Sequence, residues 1–181
     1  MGSSGCVLEE QSKPVHSLRS KRIFIKVIES ELPSGRAFRR EIVEHPGAVV
    51  VLPILDDKVI LIRQFRTAVN SWVHELPAGT LDKENETPEG CAKRELREET
   101  GFIADEVKEL FKLYTSPGFC TEVIHAFLAK GLKRGTASPE ETEYIQILEV
   151  PIEEAIGLVL NDPILDAKTA LTLLYYERQI K

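Results

Sequence analysis

Between residues 22 and 65, four strand-like segments follow one another with no room for a helix between them. Residues 22–28 (Arg-Ile-Phe-Ile-Lys-Val-Ile) are rich in β-branched and aromatic residues, which suit a pleated, half-buried surface. Pro33-Ser34-Gly35 is a turn signal, so residues 37–43 read as the returning strand of a hairpin. Residues 47–55 form a buried strand, Asp56-Asp57-Lys58 turns the chain, and residues 58–65 supply its partner. Connections this short join antiparallel neighbours, because a parallel crossover needs a dozen or more residues. A regular βαβ series is therefore excluded.

Further along, residues 73–76 read as a short strand ending at Pro77, and residues 107–114, 123–129 and 143–150 as three more. Helices are expected at 88–100, 152–160 and 164–179. In the last of these, Leu171, Leu173, Leu174 and Ile180 read as core. The pattern is α+β with a mixed sheet. A chain of 181 residues is long enough for one domain with a sizeable core, and 43% apolar with 29% charged residues is an ordinary globular mix.

Residues 1–20 are rich in Gly, Ser and polar side chains without a period, and read as a disordered tail. Gly2 follows Met1, but Cys6 stands where a myristoylation motif has Ser or Thr. No apolar run approaches the ~20 residues that span a bilayer. The net charge of −6 argues against a general affinity for nucleic acid. Cys6, Cys91 and Cys120 form no close pair, which points to reduced thiols in a cytoplasmic protein rather than a disulfide framework or zinc site. His45, His74 and His125 lack metal-ligand spacing and read as structural. Trp72 reads as core or interface.

The helix expected at 88–100 has well-marked ends. Thr87 can cap it, Pro88 suits the first helical position, Glu89 favours the positive end, and Gly101 fits the left-handed position beyond the last turn. Within it Glu95, Glu98 and Glu99 stand at i, i+3 and i+4, so their carboxylates share one face. Like charges at that spacing destabilise a helix by roughly 0.2–0.5 kcal/mol per pair. Two readings of that face stand on the helix alone. It is a site for a hard divalent cation, which prefers carboxylate oxygen, or a solvated face offset by Arg94 and Arg97.

Residues 79–102 resolve the choice. They resemble the Nudix hydrolase signature, G-x5-E-x7-R-E-U-x-E-E-x-G-U with U a bulky apolar residue. Glu86, seven intervening residues, then Arg94-Glu95-Leu96-Arg97-Glu98-Glu99-Thr100-Gly101-Phe102 match it. The one departure is that six residues rather than five separate Gly79 from Glu86, with the extra residue in a polar loop. Outside the signature, Leu61-Ile62-Arg63-Gln64-Phe65-Arg66, Glu75-Leu76-Pro77-Ala78-Gly79 and Ser116-Pro117-Gly118 look like the ADP-ribose pyrophosphatase group, as does Pro117 sixteen residues after Gly101. The stretch Glu141-Thr142-Glu143-Tyr144-Ile145, followed by Val150-Pro151, also fits.

The resemblance implies a mixed sheet sandwiched between helices, preceded by an N-terminal hairpin. It also implies metal-dependent cleavage of ADP-ribose to AMP and ribose 5-phosphate. Mg²⁺ is the expected ion, with Mn²⁺ or another divalent cation able to substitute. By motif position, Glu95, Glu98 and Glu99 are metal ligands together with the Ala78 carbonyl, and Glu98 and Glu99 count among the catalytic residues. Glu86 and Arg94 brace the loop against the helix, and Gly79 lies with the substrate.

Glu140, Glu141 and Glu143 by spacing alone are a solvated acidic turn. The resemblance makes Glu141 the general base, with Glu140 as alternative, and gives Glu143 to the metal. Arg66 ends a strand directly before a loop, which suits a phosphate contact. Arg40 matches a second substrate-binding arginine and Glu122 an acid near the terminal ribose, although surface residues would look the same. The resemblance further makes residues 21–43 a dimerisation hairpin of a homodimer and 44–181 the catalytic domain. Competing readings are a pyrophosphatase for another nucleoside diphosphate sugar or dinucleotide, and a non-catalytic nucleotide-sugar sensor. Retention of Glu95, Glu98 and Glu99 favours an enzyme.

Overall fold

The computed structural model describes residues 13–20, 23–138 and 144–179. The described residues fall into two compact units, one of those up to Pro46 with Tyr114–Val123, the other of Gly47–Leu113 with those from Ile124 onward.

The first unit carries a three-stranded antiparallel sheet in the order β1 (Lys13–Arg19), β2 (Phe24–Glu31), β3 (Ala37–Glu44). The expected hairpin is present as β2 and β3, in register from Phe24↔Glu44 to Glu31↔Ala37. Its turn closes through hydrogen bonds between Leu32 and Arg36 and between Gly35 and Leu32, with Gly35 at φ +78°. The expected disordered tail is corrected from Lys13 onward, because β1 pairs with β2 from Lys13↔Glu29 to Arg19↔Phe24, with a bulge between Pro14 and His16. The mixed polar sequence of β1 carries no alternation. Its strand character comes from backbone pairing with a distant segment, which local pattern cannot reveal.

The second unit is built on a mixed sheet. Its strands are β4 (Ala48–Leu55), β5 (Lys58–Arg66), β6 (Ser71–Glu75), β7 (Ala78–Thr80), β8 (Phe102–Tyr114), β9 (Val123–Arg134) and β10 (Ile145–Pro151). The main order is β10-β5-β4-β9-β8, with β6 added to β5 and β7 to β4. β4 runs parallel to β9 and antiparallel to β5 and β7. Three helices complete the unit, α1 (Pro88–Thr100), α2 (Ile152–Leu160) and α3 (Ala167–Gln179).

Alternation along β4 and β5 sorts the core into two layers. Val49, Val51 and Ile60 pack with Cys91, Ala92 and Leu96 of α1. Val50, Leu52, Val59 and Leu61 pack with Ala155 and Val159 of α2 and Ala170 and Leu173 of α3. The sheet is thus sandwiched between helices, as the resemblance implies. Leu171 departs from the core expectation at 43% exposure, Leu174 is half-buried, and Ile180 lies outside the described residues. β8 and β9 run longer than expected, from Phe102 and to Arg134 respectively, and both contain many exposed residues. Among the described residues, no helix is long and apolar enough to cross a membrane.

Candidate active site

The helix α1 forms where its caps dictate. Thr87 has extended backbone (φ −77°, ψ 154°), and its Oγ1 accepts the Gly90 N–H at 3.1 Å. At the other end Gly101 takes φ +75°, and its N–H donates to the Arg97 carbonyl at 2.8 Å. A Cβ at Gly101 would also stand 2.8 Å from the Ala137 nitrogen, so glycine is required there twice over. The buried side of α1 holds Cys91, Ala92, Leu96, Glu99 and Thr100. Burial pushes the Cys91 thiol up to about 12, which makes it an inert core group.

One member of that buried set is a carboxylate. Glu99 is 3% exposed, and its Oε2 accepts the Ala78 N–H at 3.0 Å. Beside it, Glu95 lies flat against Gly79: a Cβ on that glycine would stand 2.0 Å from both Cδ and Oε1 of Glu95. Pairing of Val50↔Ala78 and Val49↔Gly79 fixes this backbone on the sheet. Ala78, Gly79, Glu95 and Glu99 are therefore gathered at one place by a three-residue strand and one turn of helix. The short strand β7 was not expected. It follows directly on Pro77, whose carbonyl accepts the Val51 N–H at 2.9 Å.

Arg94 ties the rest of the signature together. Its Nε and Nη2 donate to the two oxygens of Glu86 at 2.8 and 2.9 Å, a bidentate fork. Its Nη1 donates to Glu95 Oε1 at 2.5 Å and to Glu98 Oε2 at 2.8 Å. Lys83 stands 3.6 Å from the other oxygen of Glu98. The Arg94 hydrogen bond holds the Glu86 carboxyl below the usual carboxylate range, and Glu86 with its acidic neighbours raises the Arg94 guanidinium further above neutrality. The structure thus brings Glu86, ahead of the helix, against Arg94 within it.

The donor chemistry of Glu95, Glu98, Glu99 and the Ala78 carbonyl fits a hard divalent cation, since all four offer oxygen. Among the described residues, however, no three acidic, His or Cys side chains converge closely enough to enclose an ion. Glu95 and Glu98 meet at Arg94 Nη1, while Glu99 accepts from Ala78.

Arg66, at the end of β5, has a partner that the sequence reading did not assign. Its Nε and Nη2 donate to the two oxygens of Glu75, each at 2.6 Å. Glu75 is 1% exposed and also accepts from Lys168 Nζ. The Glu75 hydrogen bonds raise the Arg66 pKa, and the nearby charge of Glu99 adds to that effect, so Arg66 stands within electrostatic reach of the acidic face. Burial works to raise the Glu75 pKa, but the fork from Arg66 and the charge of Lys168 outweigh it and hold the carboxyl low. A depressed native pKa contributes stability above the unfolded-chain value of about 4.3, and that contribution fades as pH falls through the native value. Glu75→Gln should therefore be less stable than the parent at neutral pH, with the gap narrowing below that range. Chemical denaturation at a series of pH values checks this, and a gap independent of pH would contradict it.

Arg40 and Glu122 belong to the first unit. Arg40 is exposed on β3, donates from Nη1 to the Arg39 carbonyl at 2.9 Å, and lies over the Phe38 ring. Glu122 accepts from Thr115 Oγ1 at 2.7 Å and stands 3.5 Å from His45 Nδ1. Glu140, Glu141 and Glu143 lie outside the described residues. His74 and His125 have carboxylate partners: His74 with Asp162 at 2.7 Å and His125 with Glu109 at 3.0 Å. Trp72 is engaged by its own strand neighbours, edge-on to Phe65 and under Arg63.

Residues 44–171 match the NUDIX domain, and the chain belongs to the Nudix family. Within that family, an ADP-ribose pyrophosphatase of Bacillus subtilis (strain 168) is 41% identical over 174 residues, 94% of each chain. The methanol dehydrogenase activator of Bacillus methanolicus is 37% identical over 97% of this chain and 96% of its own. A GDP-mannose pyrophosphatase of Citrobacter koseri is 38% identical over 76% of each chain. A crystal structure of an ADP compounds hydrolase shares the fold, with a TM-score of 0.79 over 92% of both chains at 24% identity.

Proposed function

We propose that this protein hydrolyses the pyrophosphate bond of ADP-ribose, giving AMP and ribose 5-phosphate, with a divalent cation as cofactor. The observation that carries the reading is the clasp of Glu95 and Glu99 on the Ala78–Gly79 backbone, held by the Glu86–Arg94 fork. The chain-long likeness to an ADP-ribose pyrophosphatase supports the choice of substrate.

In this reading Glu95, Glu98, Glu99 and the Ala78 carbonyl hold the cation, joined by Glu143. A bound Mg²⁺ or Mn²⁺ supplies an acidified water and offsets charge on phosphoryl oxygens. Glu141 takes the proton of the attacking water. Arg66 keeps one nitrogen, Nη1, outside its fork with Glu75, and its N–H groups suit an anionic pyrophosphate. Arg40, Gly79 and Glu122 contact the rest of the substrate. Residues 21–43 join two copies of the chain into a homodimer, and the compartment is the cytoplasm.

The test is a panel of nucleoside diphosphate derivatives, ADP-ribose and GDP-mannose included, assayed with Mg²⁺, with Mn²⁺ and with chelator. Light scattering on the same sample gives the mass. ADP-ribose is expected among the best substrates by kcat/KM, with turnover abolished by chelator and the mass of two chains. Cleavage of a different substrate overturns the ADP-ribose assignment, and activity in chelator overturns metal dependence.

A further inference from the structure

Behind Arg66 lies a chain of charges that the hydrolytic reading does not use. Glu75, on β6, is all but fully buried yet bears a carboxylate between two cations. Lys168 reaches it from the second residue of α3. Lys168 is itself held by Asp166 Oδ1 at 2.9 Å, and Asp166 Oδ2 accepts the Thr169 N–H at 3.0 Å, which fixes the start of that helix. A second link joins the same two elements: the Leu76 N–H donates to Thr169 Oγ1 at 2.8 Å. The N-terminal end of α3 is thus fastened to the end of β6 through adjacent residues, and Lys168 cannot drift from Glu75.

Burying charges in this way is a poor means of gaining stability, because desolvation offsets much of the attraction. What the arrangement does supply is orientation. Arg66 stands where β5 gives way to a turn, closed by Val69 N–H on the Arg66 carbonyl at 3.1 Å. A long side chain there, 40% exposed, would otherwise sample many rotamers and lose that freedom on meeting a ligand. The Glu75 fork takes Nε and Nη2 in a planar, two-point contact, so the plane of the guanidinium is set. Among the described residues, Nη1 has no partner and remains available to an anion. Glu75 can serve as a fixed post only if its own carboxylate is pinned, and the contact that pins it from the far side is Lys168.

We propose that Lys168 is a positioning residue, which acts through Glu75 to hold Arg66 in the orientation that binds the substrate pyrophosphate. The proposal rests on the hydrolytic reading above and adds to it a residue of α3, remote in sequence from the signature.

A double-mutant cycle tests it by calorimetric binding of the methylene-bridged, uncleavable analogue of ADP-ribose in the presence of Mg²⁺. Loss of charge-assisted hydrogen bonds should make Arg66→Ala weaken binding about tenfold to a hundredfold. Lys168→Met should weaken it by about tenfold in the parent chain but by less than about twofold in the Arg66→Ala background, since its effect passes through Arg66. A merely structural lysine would cost the same factor in both backgrounds. Equal factors, or no effect in the parent, overturn the proposal. Failure of the parent chain to bind the analogue overturns the substrate reading instead. Thermal unfolding of each variant accompanies the cycle, and Lys168→Gln replaces Lys168→Met if the latter is unfolded at the assay temperature.

Discussion

Glu99→Gln should lower kcat by about two to three orders of magnitude at saturating Mg²⁺, the scale of losing several kcal/mol of charge stabilisation. The substitution isolates charge from structure. Glu99 is buried against the sheet and accepts the Ala78 N–H, and a glutamine oxygen can accept that bond equally well. The fold should therefore survive, with a melting temperature within a few degrees of the parent. What is removed is one unit of negative charge at the place where α1 meets β7. Steady-state kinetics with a metal titration provide the measurement. A kcat within a few-fold of the parent would remove Glu99 from the reaction.

The second large effect is expected at Gly79, which has no ionisable group at all. Its Cβ would fall 2.0 Å from the Glu95 carboxyl, well inside any possible contact. The obstructing atoms are the far end of a flexible side chain, so Gly79→Ala should displace Glu95 rather than unfold the sheet. Removing one carboxylate from the set should lower kcat/KM by about a hundredfold, the scale of a few kcal/mol at the transition state. The metal concentration needed for half activity should rise with it. Gly79→Ala with parental activity and an unchanged metal requirement would show that Glu95 does not need this backbone.

These two positions also show which parts of the site were legible in the sequence. The span of α1 was readable because its ends are local: Thr87, Pro88 and Gly101 each act on backbone groups within one turn. The three glutamates on one face follow from helical periodicity alone, and the Glu86–Arg94 fork was implied by the signature. The clasp on Gly79 was not readable, since it depends on β7 pairing with β4 across a distant register. Glu75 stood in view directly before Leu76 and Pro77, at the end of a short strand, and an acid buried there needs a cation to meet it. Its partner Lys168 lies 93 residues further on, and nothing local connects the two. β1 escaped for a related reason, since edge pairing stabilises a strand whose side chains carry little pattern. Glu141 and Glu143 fall outside the described residues, so the base and the fourth acid still stand on the resemblance.

The alternation along β4 carries a consequence for how this protein can change. Val49 and Val51 support α1, while Val50 and Leu52 support α2 and α3. Odd and even positions thus answer to different masters: one parity sets the depth of the helix bearing the acids, the other the seat of α3, from which Lys168 projects. Substitutions of one parity can retune one layer while the other stays in place. A single inserted residue, by contrast, would exchange the two sets and disturb both at once. Variation in this strand should therefore come as replacements and never as changes of length.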